Sequence, residues 1–183
     1  MPNDEIQSNR PMTVYTERQI ERLFDSSYER AVRALTRLPV YCGTKPAFGQ
    51  LTGWVYEQTI QHCIRRELKA HKIKAEITEH DNLRGRAKAD LKVNDVAIEI
   101  KHSGLFGSED ADKYKEYMEA ASAKKGWRYL FVTRRESYAP YRTGIANALG
   151  TENVFFLDTE GDWKRFMHRL EELLANSGQS TEQ

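Results

Sequence analysis

Residues 87–101, AKADLKVNDVAIEIK, alternate apolar and polar side chains on both sides of Asn94 and Asp95. Two alternating runs separated by two turn-forming residues are the sequence form of a tight antiparallel hairpin. No other stretch restricts the fold as much. Folding about the turn sets Val93 against Val96, Lys92 against Ala97, Leu91 against Ile98 and Asp90 against Glu99. Successive strand side chains point to opposite faces. Ala89, Leu91, Val93, Val96, Ile98 and Ile100 are therefore expected on one buried face. Lys88, Asp90, Lys92, Glu99 and Lys101 are expected on the other, which is left for chemistry.

Directly opposed strand side chains sit roughly 5 Å apart at Cβ, where like charges repel unless a cation lies between them. Lys101 follows Glu99 by two positions on the same face and supplies one positive charge. A divalent metal held by oxygen ligands would supply more.

The flanking periodicities give the order of elements. Apolar residues from Thr16 to Leu38 recur at helical spacing (Ile20, Leu23, Phe24, Tyr28, Ala31, Leu35), with Thr16 as N-cap and Pro39 past the end. Residues 39–53 hold glycines and prolines among scattered aromatics and read as a loop. A second helix is expected from about Trp54 to Ala70, with Glu57, Ile60, Ile64 and Leu68 in one stripe. An acid in line with three aliphatics is costly unless paired or bound to a cation. Glu57 could also interact with the helix N-terminus or an arginine. Residues 72–80, KIKAEITEH, read as a strand, and Asp81, Asn82 and Gly85 as a turn into the hairpin. After a glycine-bounded loop, Ser108, Glu109 and Asp110 open a helix that buries Ala111, Tyr114, Tyr117, Met118 and Ala121 and ends near Gly126. Arg128 to Thr133, RYLFVT, reads as a buried strand, which a right-handed crossover places parallel to the Glu99 strand. A short helix (141–149), a strand (153–157) and an amphipathic helix (162–174) follow. Residues 1–13 are expected to be a flexible arm, 14–175 one domain and 176–183 a flexible tail.

The order Asp90, then Glu99-Ile100-Lys101 at the end of the second strand, resembles the PD-(D/E)xK nuclease superfamily. The proline of the motif is absent, since Lys88 and Ala89 precede Asp90. The expected succession of helix, three strands, helix and strand is similar to that superfamily's αβββαβ core. The resemblance implies an α/β, restriction endonuclease-like fold with a mixed central sheet flanked by helices. Here an N-terminal helix and a C-terminal helix-strand-helix extension are added. It further implies a metal-dependent nuclease, most readily a DNA endonuclease of restriction, junction-resolving or repair type. Asp90, Glu99 and the backbone carbonyl of Ile100 would then hold Mg²⁺, with Mn²⁺ able to substitute, and Glu57 would reach the ion or its water. Lys101 would orient or deprotonate the attacking water. The alternative is an inactive member of the fold that binds nucleic acid or protein.

Composition bounds these expectations. A net charge of +1 excludes a uniformly basic nucleic-acid binder, so DNA contact must rest on local patches. Arg84, Arg86 and Lys88 precede Asp90 and could lie on phosphates, as could Lys113. Arg65, Arg66, Lys69, Lys72 and Lys74 read as a solvated face. The two cysteines, Cys42 and Cys63, fit a reducing cytoplasm better than a disulfide scaffold. The five histidines show no zinc-ligand spacing. His102 is expected on the face opposite Lys101. No membrane span is expected, and cutting both strands of a duplex would need two sites, hence a homodimer.

Overall fold

The structure, a computed structural model, describes residues 13–36, 48–84, 87–103 and 107–177. It is an α/β fold in which a five-stranded mixed sheet runs in the order β1-β2-β3-β4-β5. The strands are β1 (Ile77–Arg84), β2 (Ala87–Val93), β3 (Val96–Lys101), β4 (Arg128–Thr133) and β5 (Val154–Phe156). The helices are α1 (Glu17–Thr36), α2 (Phe48–Ala70), α3 (Ser108–Lys125), α4 (Ala139–Leu149) and α5 (Asp162–Ser177). None of these helices is long and apolar enough to cross a membrane.

The hairpin register is the one the alternation dictates: Leu91 opposes Ile98, Lys92 opposes Ala97 and Val93 opposes Val96. Asn94 takes the left-handed conformation at φ 51°, which its short polar side chain tolerates. Its Oδ1 also accepts the amide of Glu76. The α3 crossover makes β3 and β4 parallel, with Glu99 beside Phe131 and Lys101 beside Thr133. Gly126 closes α3 at φ 63°, where a Cβ would be strained.

Two cores flank the sheet. Ile20 and Phe24 of α1, Val55, Ile60, Ile64 and Leu68 of α2, and Trp163, Phe166 and Leu170 of α5 cover one face, over Leu91, Val93, Ile98 and Ile100. Burying each of the three aliphatics of the α2 stripe contributes about 1.5–3 kcal/mol. Tyr114 and Ala121 of α3, with Ile145 and Leu149 of α4, cover the other face over Leu83, Ala89, Ala97, Tyr129 and Phe131. The second face is therefore not an open chemical surface, as the alternation alone suggests. The α3–α4 layer buries its apolar residues and Glu99, while the side chains of Asp81 and Lys101 stay 32% exposed.

Several boundaries differ from the sequence expectation. Helix α2 begins at Phe48 rather than near Trp54, because Gly49 and Gly53 are carried inside a helix whose other face is packed. Residues 39–47 of the expected loop lie outside the described residues, as do residues 37 and 38 of the first helix. The strand expected over 72–80 instead starts at Ile77 and continues to Arg84, so Asp81 and Asn82 are strand residues rather than a turn. Lys72 at φ 58° and the bond from the Ile73 amide to the Leu68 carbonyl spend residues 71–73 on ending α2. Paired with β2, Asp81 takes a hydrogen bond from the Thr78 hydroxyl at 2.9 Å and a salt bridge from Lys92 at 3.0 Å. Helix α5 runs on to Ser177, and residues 1–12 and 178–183 lie outside the described residues.

The alternation also inverts once. Partners Ile77↔Val93 and Glu79↔Leu91 give way to Asp81↔Ala89, with His80 between them in the left-handed conformation at φ 54°. On one side of this point Leu91 and Val93 face the first core; on the other, Leu83 and Ala89 face the second. Ala89 thus leaves the face that strict period-2 reading assigns it, because the twist at His80 and Asp90 turns the outer part of the hairpin over.

Candidate functional site

Asp90 sits at that twist, and its position explains why one side chain reaches both faces of the sheet. Its carbonyl leaves the ladder and accepts from Gln61 Nε2 of α2 at 3.2 Å. Its Oδ2 accepts the backbone amide of Ile100 at 2.7 Å, standing in for the main-chain partner that strand pairing would have supplied. On the second face Lys101 Nζ lies 3.4 Å from Asp90 Oδ2 and 2.5 Å from Glu99 Oε1. The two acids expected to oppose each other are thus joined through one ammonium. Ile100 meets Asp90 through its amide.

Glu57 projects from the middle of α2 toward the same corner. Gln61, one turn on, donates to Glu57 Oε1 at 3.0 Å with the same amide nitrogen that holds the Asp90 carbonyl, so one side chain fixes both acids. His80 Nε2 is 3.8 Å from Glu57 Oε1. One ligand-capable atom from each of Glu57, His80 and Asp90 lies within 4.8 Å of the others. Sequence reasoning missed His80 because it ended β1 there. A strand carried on to Arg84 places His80 opposite Asp90. Gln61 was legible as the i+4 neighbour of Glu57 on the helix face.

The electrostatics follow from burial. Glu99 is 3% exposed. Burial first, and then the facing Asp90, push its carboxyl up to about 7, against the pull of Lys101. Burial, followed by Asp90, likewise raises Glu57. For Lys101, burial favours the neutral amine, but Glu99 and Asp90 outweigh it and the net displacement is upward. Glu99 Oε2 is buried and has no hydrogen-bond partner. Two acids, Asp90 and Glu99, share one ammonium, a third, Glu57, lies beside Asp90, and an acid oxygen is left without a donor. That surplus of negative charge, built from oxygen donors, fits a hard divalent cation.

The remaining candidates are spread around this corner. Lys113 is exposed on α3, its ammonium 4.9 Å from the Tyr114 ring and 5.8 Å from that of Tyr117, and its charge acts to lower the Glu99 carboxyl. Lys88 is exposed on β2. Arg84 ends β1 and Arg86 lies outside the described residues. Of the other basic cluster, Arg65 is paired with Glu79 at 2.5 Å. His102 is turned to the opposite face from Lys101, against Phe24 and Tyr56. Burial, then Arg134 and Arg135, lower its imidazole to about 4.

In class, then, the chain is an α/β protein whose mixed sheet carries an acid-rich corner at the carboxyl end of a central strand. No family model matches the sequence, and no curated protein or solved structure matches it at a significant level.

Proposed function

We propose that the chain is a metal-dependent nuclease acting on DNA as an endonuclease, with α2, β1, β2, β3, α3 and β4 forming a restriction endonuclease-like αβββαβ core. The observation that carries this reading is the Lys101 ammonium shared by Asp90 and Glu99, with a Glu57 carboxylate oxygen within 4.8 Å of one from Asp90. Two acids and a lysine gathered at the end of a strand are the groups that phosphodiester hydrolysis uses, and a scaffold gains no stability from crowding them.

Asp90, Glu99, the carbonyl of Ile100 and Glu57 would hold Mg²⁺ or Mn²⁺. When bound, the ion supplies a lowered pKa for water and charge stabilisation at the scissile phosphate. The protein's own groups do the rest. While both carboxylates hold it, Lys101 stays protonated and serves as a donor that orients water and offsets charge on phosphorus. Gln61 keeps Glu57 and the Asp90 backbone in place. Lys88, Lys113, Arg84 and Arg86 would meet flanking phosphates. Cleavage of both duplex strands would call for a homodimer.

The test is incubation of the purified protein with supercoiled plasmid and Mg²⁺ or Mn²⁺. Nicked or linear product that disappears in Asp90→Ala and Lys101→Ala supports the enzyme. No cleavage of duplex, branched or single-stranded DNA refutes it in favour of a binding module.

A further inference from the structure

We propose that His80 completes a mixed nitrogen and oxygen cation site with Asp90 and Glu57, and that its imidazole biases this site toward Mn²⁺ over Mg²⁺. The assignment rests on reading the corner as a cation site, but not on what substrate is cleaved there.

The three side chains come from two elements and one strand irregularity. Glu57 is set by α2, Asp90 by the point where β2 leaves its ladder, and His80 by the left-handed residue opposite it. Their ligand atoms lie within 4.8 Å of one another, close enough for a modest inward movement to share one ion. The Glu57 side chain is only 15% exposed, whereas His80 is 52% exposed. The acid is therefore fixed, and the imidazole is free to turn onto an ion. At 3.8 Å the His80–Glu57 contact is too long for a hydrogen bond, so no bond holds the ring to the acid.

A second observation shows that the corner lacks positive charge. Glu99, whose Oε1 is taken by Lys101, keeps a buried Oε2 without any donor. Lys101 is engaged by Glu99 and Asp90 on the second face and leaves Glu57 without an ion-pair partner of its own strength. A cation among Glu57, His80 and Asp90 would relieve all three acids.

The choice of ion follows from the nitrogen donor. Mg²⁺ prefers carboxylate, carbonyl and water oxygens in a strict octahedron, whereas imidazole strengthens binding of first-row transition ions. A site of three carboxylates alone carries no such preference.

The experiment uses the full chain and the metal alone. Mn²⁺ is titrated into metal-free protein while the electron paramagnetic resonance of the free ion is followed, and Mg²⁺ is measured by competition. His80→Gln is expected to weaken Mn²⁺ at least about tenfold and Mg²⁺ several-fold less, so the preference narrows. Electron spin-echo spectra of Mn²⁺ on the unaltered protein should show nitrogen-14 modulation, a signature that depends on no variant folding. Unchanged Mn²⁺ affinity in His80→Gln, or an echo without nitrogen modulation, overturns the proposal. Absence of Mn²⁺ binding to the unaltered protein does so too. Binding lost in Asp90→Asn but unaffected in His80→Gln would sink His80 alone and leave the nuclease reading standing. His80-dependent binding without cleavage of any nucleic acid would do the reverse.

Discussion

Replacing Glu99 by glutamine removes a buried charge and keeps the side chain's shape, which makes the site's electrostatics measurable as stability. Glu99 titrates near 7 in the folded protein instead of near 4.5, first because it is buried and then because Asp90 faces it. A carboxyl raised in the folded state holds its proton more tightly there than in the unfolded chain. Its contribution to stability is full below about 4.5 and is lost as pH rises through about 7. With the Glu99 side chain only 4% exposed, solvent screening takes little from this effect. At about 1.4 kcal/mol per pH decade the full displacement corresponds to about 3 kcal/mol, of which about 2–3 kcal/mol falls between pH 5 and pH 8. Glutamine does not titrate. Losing the Lys101 contact shifts the variant by an amount that does not track Glu99's proton, so the pH-dependent part of the difference isolates the carboxyl. Urea unfolding of both proteins in chelator, at unit steps from pH 5 to pH 8, gives that difference directly. The gap should move in favour of Glu99→Gln by about 2–3 kcal/mol over this range. A constant gap refutes the reasoning. A gap moving the other way would mean that Lys101 outweighs burial and that Glu99 is an ordinary ion-pair carboxylate.

The other predictions concern groups outside the acid corner. The His102 imidazole, lowered to about 4, should show ring proton resonances with a titration midpoint near that value; a midpoint at or above 6.5 would contradict its packing against Phe24 and Tyr56. Because this histidine is depressed, its contribution to stability is present above about 6.5 and declines as pH falls from there toward 4. Glu67 is fully buried and accepts the amides of Val14 and Tyr15 and the indole N–H of Trp163, at 2.8, 2.9 and 2.9 Å. Glu67→Gln should cost about 1–3 kcal/mol in urea unfolding followed by tryptophan fluorescence. An unchanged midpoint would show that these bonds contribute nothing net.

The hairpin was legible because its information is local. Alternation and a two-residue turn set Leu91 against Ile98 without reference to anything distant, and β4 and α3 were equally plain from a short β-branched run and a glycine stop. Helical spacing likewise placed Glu57 on the α2 stripe and showed the last helix to be amphipathic. Lys101 bridges Asp90 and Glu99, but the pairing of β2 with β3 runs only from Leu91↔Ile98 to Val93↔Val96, so the expected Asp90–Glu99 pair is not part of the ladder. The extent of β1 was not legible. Residues 81–82 carry turn-forming side chains, and only pairing with β2 makes them strand.

By itself, then, the sequence determined the order of elements, the hairpin register and the presence of two acids and a lysine on neighbouring positions, since all three depend on periods of two or 3.6 residues. The tertiary structure decided what periodicity cannot carry. The α3–α4 layer covers the second face of the sheet and drives up the Glu99 carboxyl, because burial depends on what packs from elsewhere in the chain. The left-handed residue at His80 turns the hairpin over at Asp90, so that an acid on one strand meets a glutamate on α2 and a lysine on the far side. A single inverted backbone dihedral within an alternating run leaves no trace in the alternation itself, and it is this inversion that brings His80 into the corner.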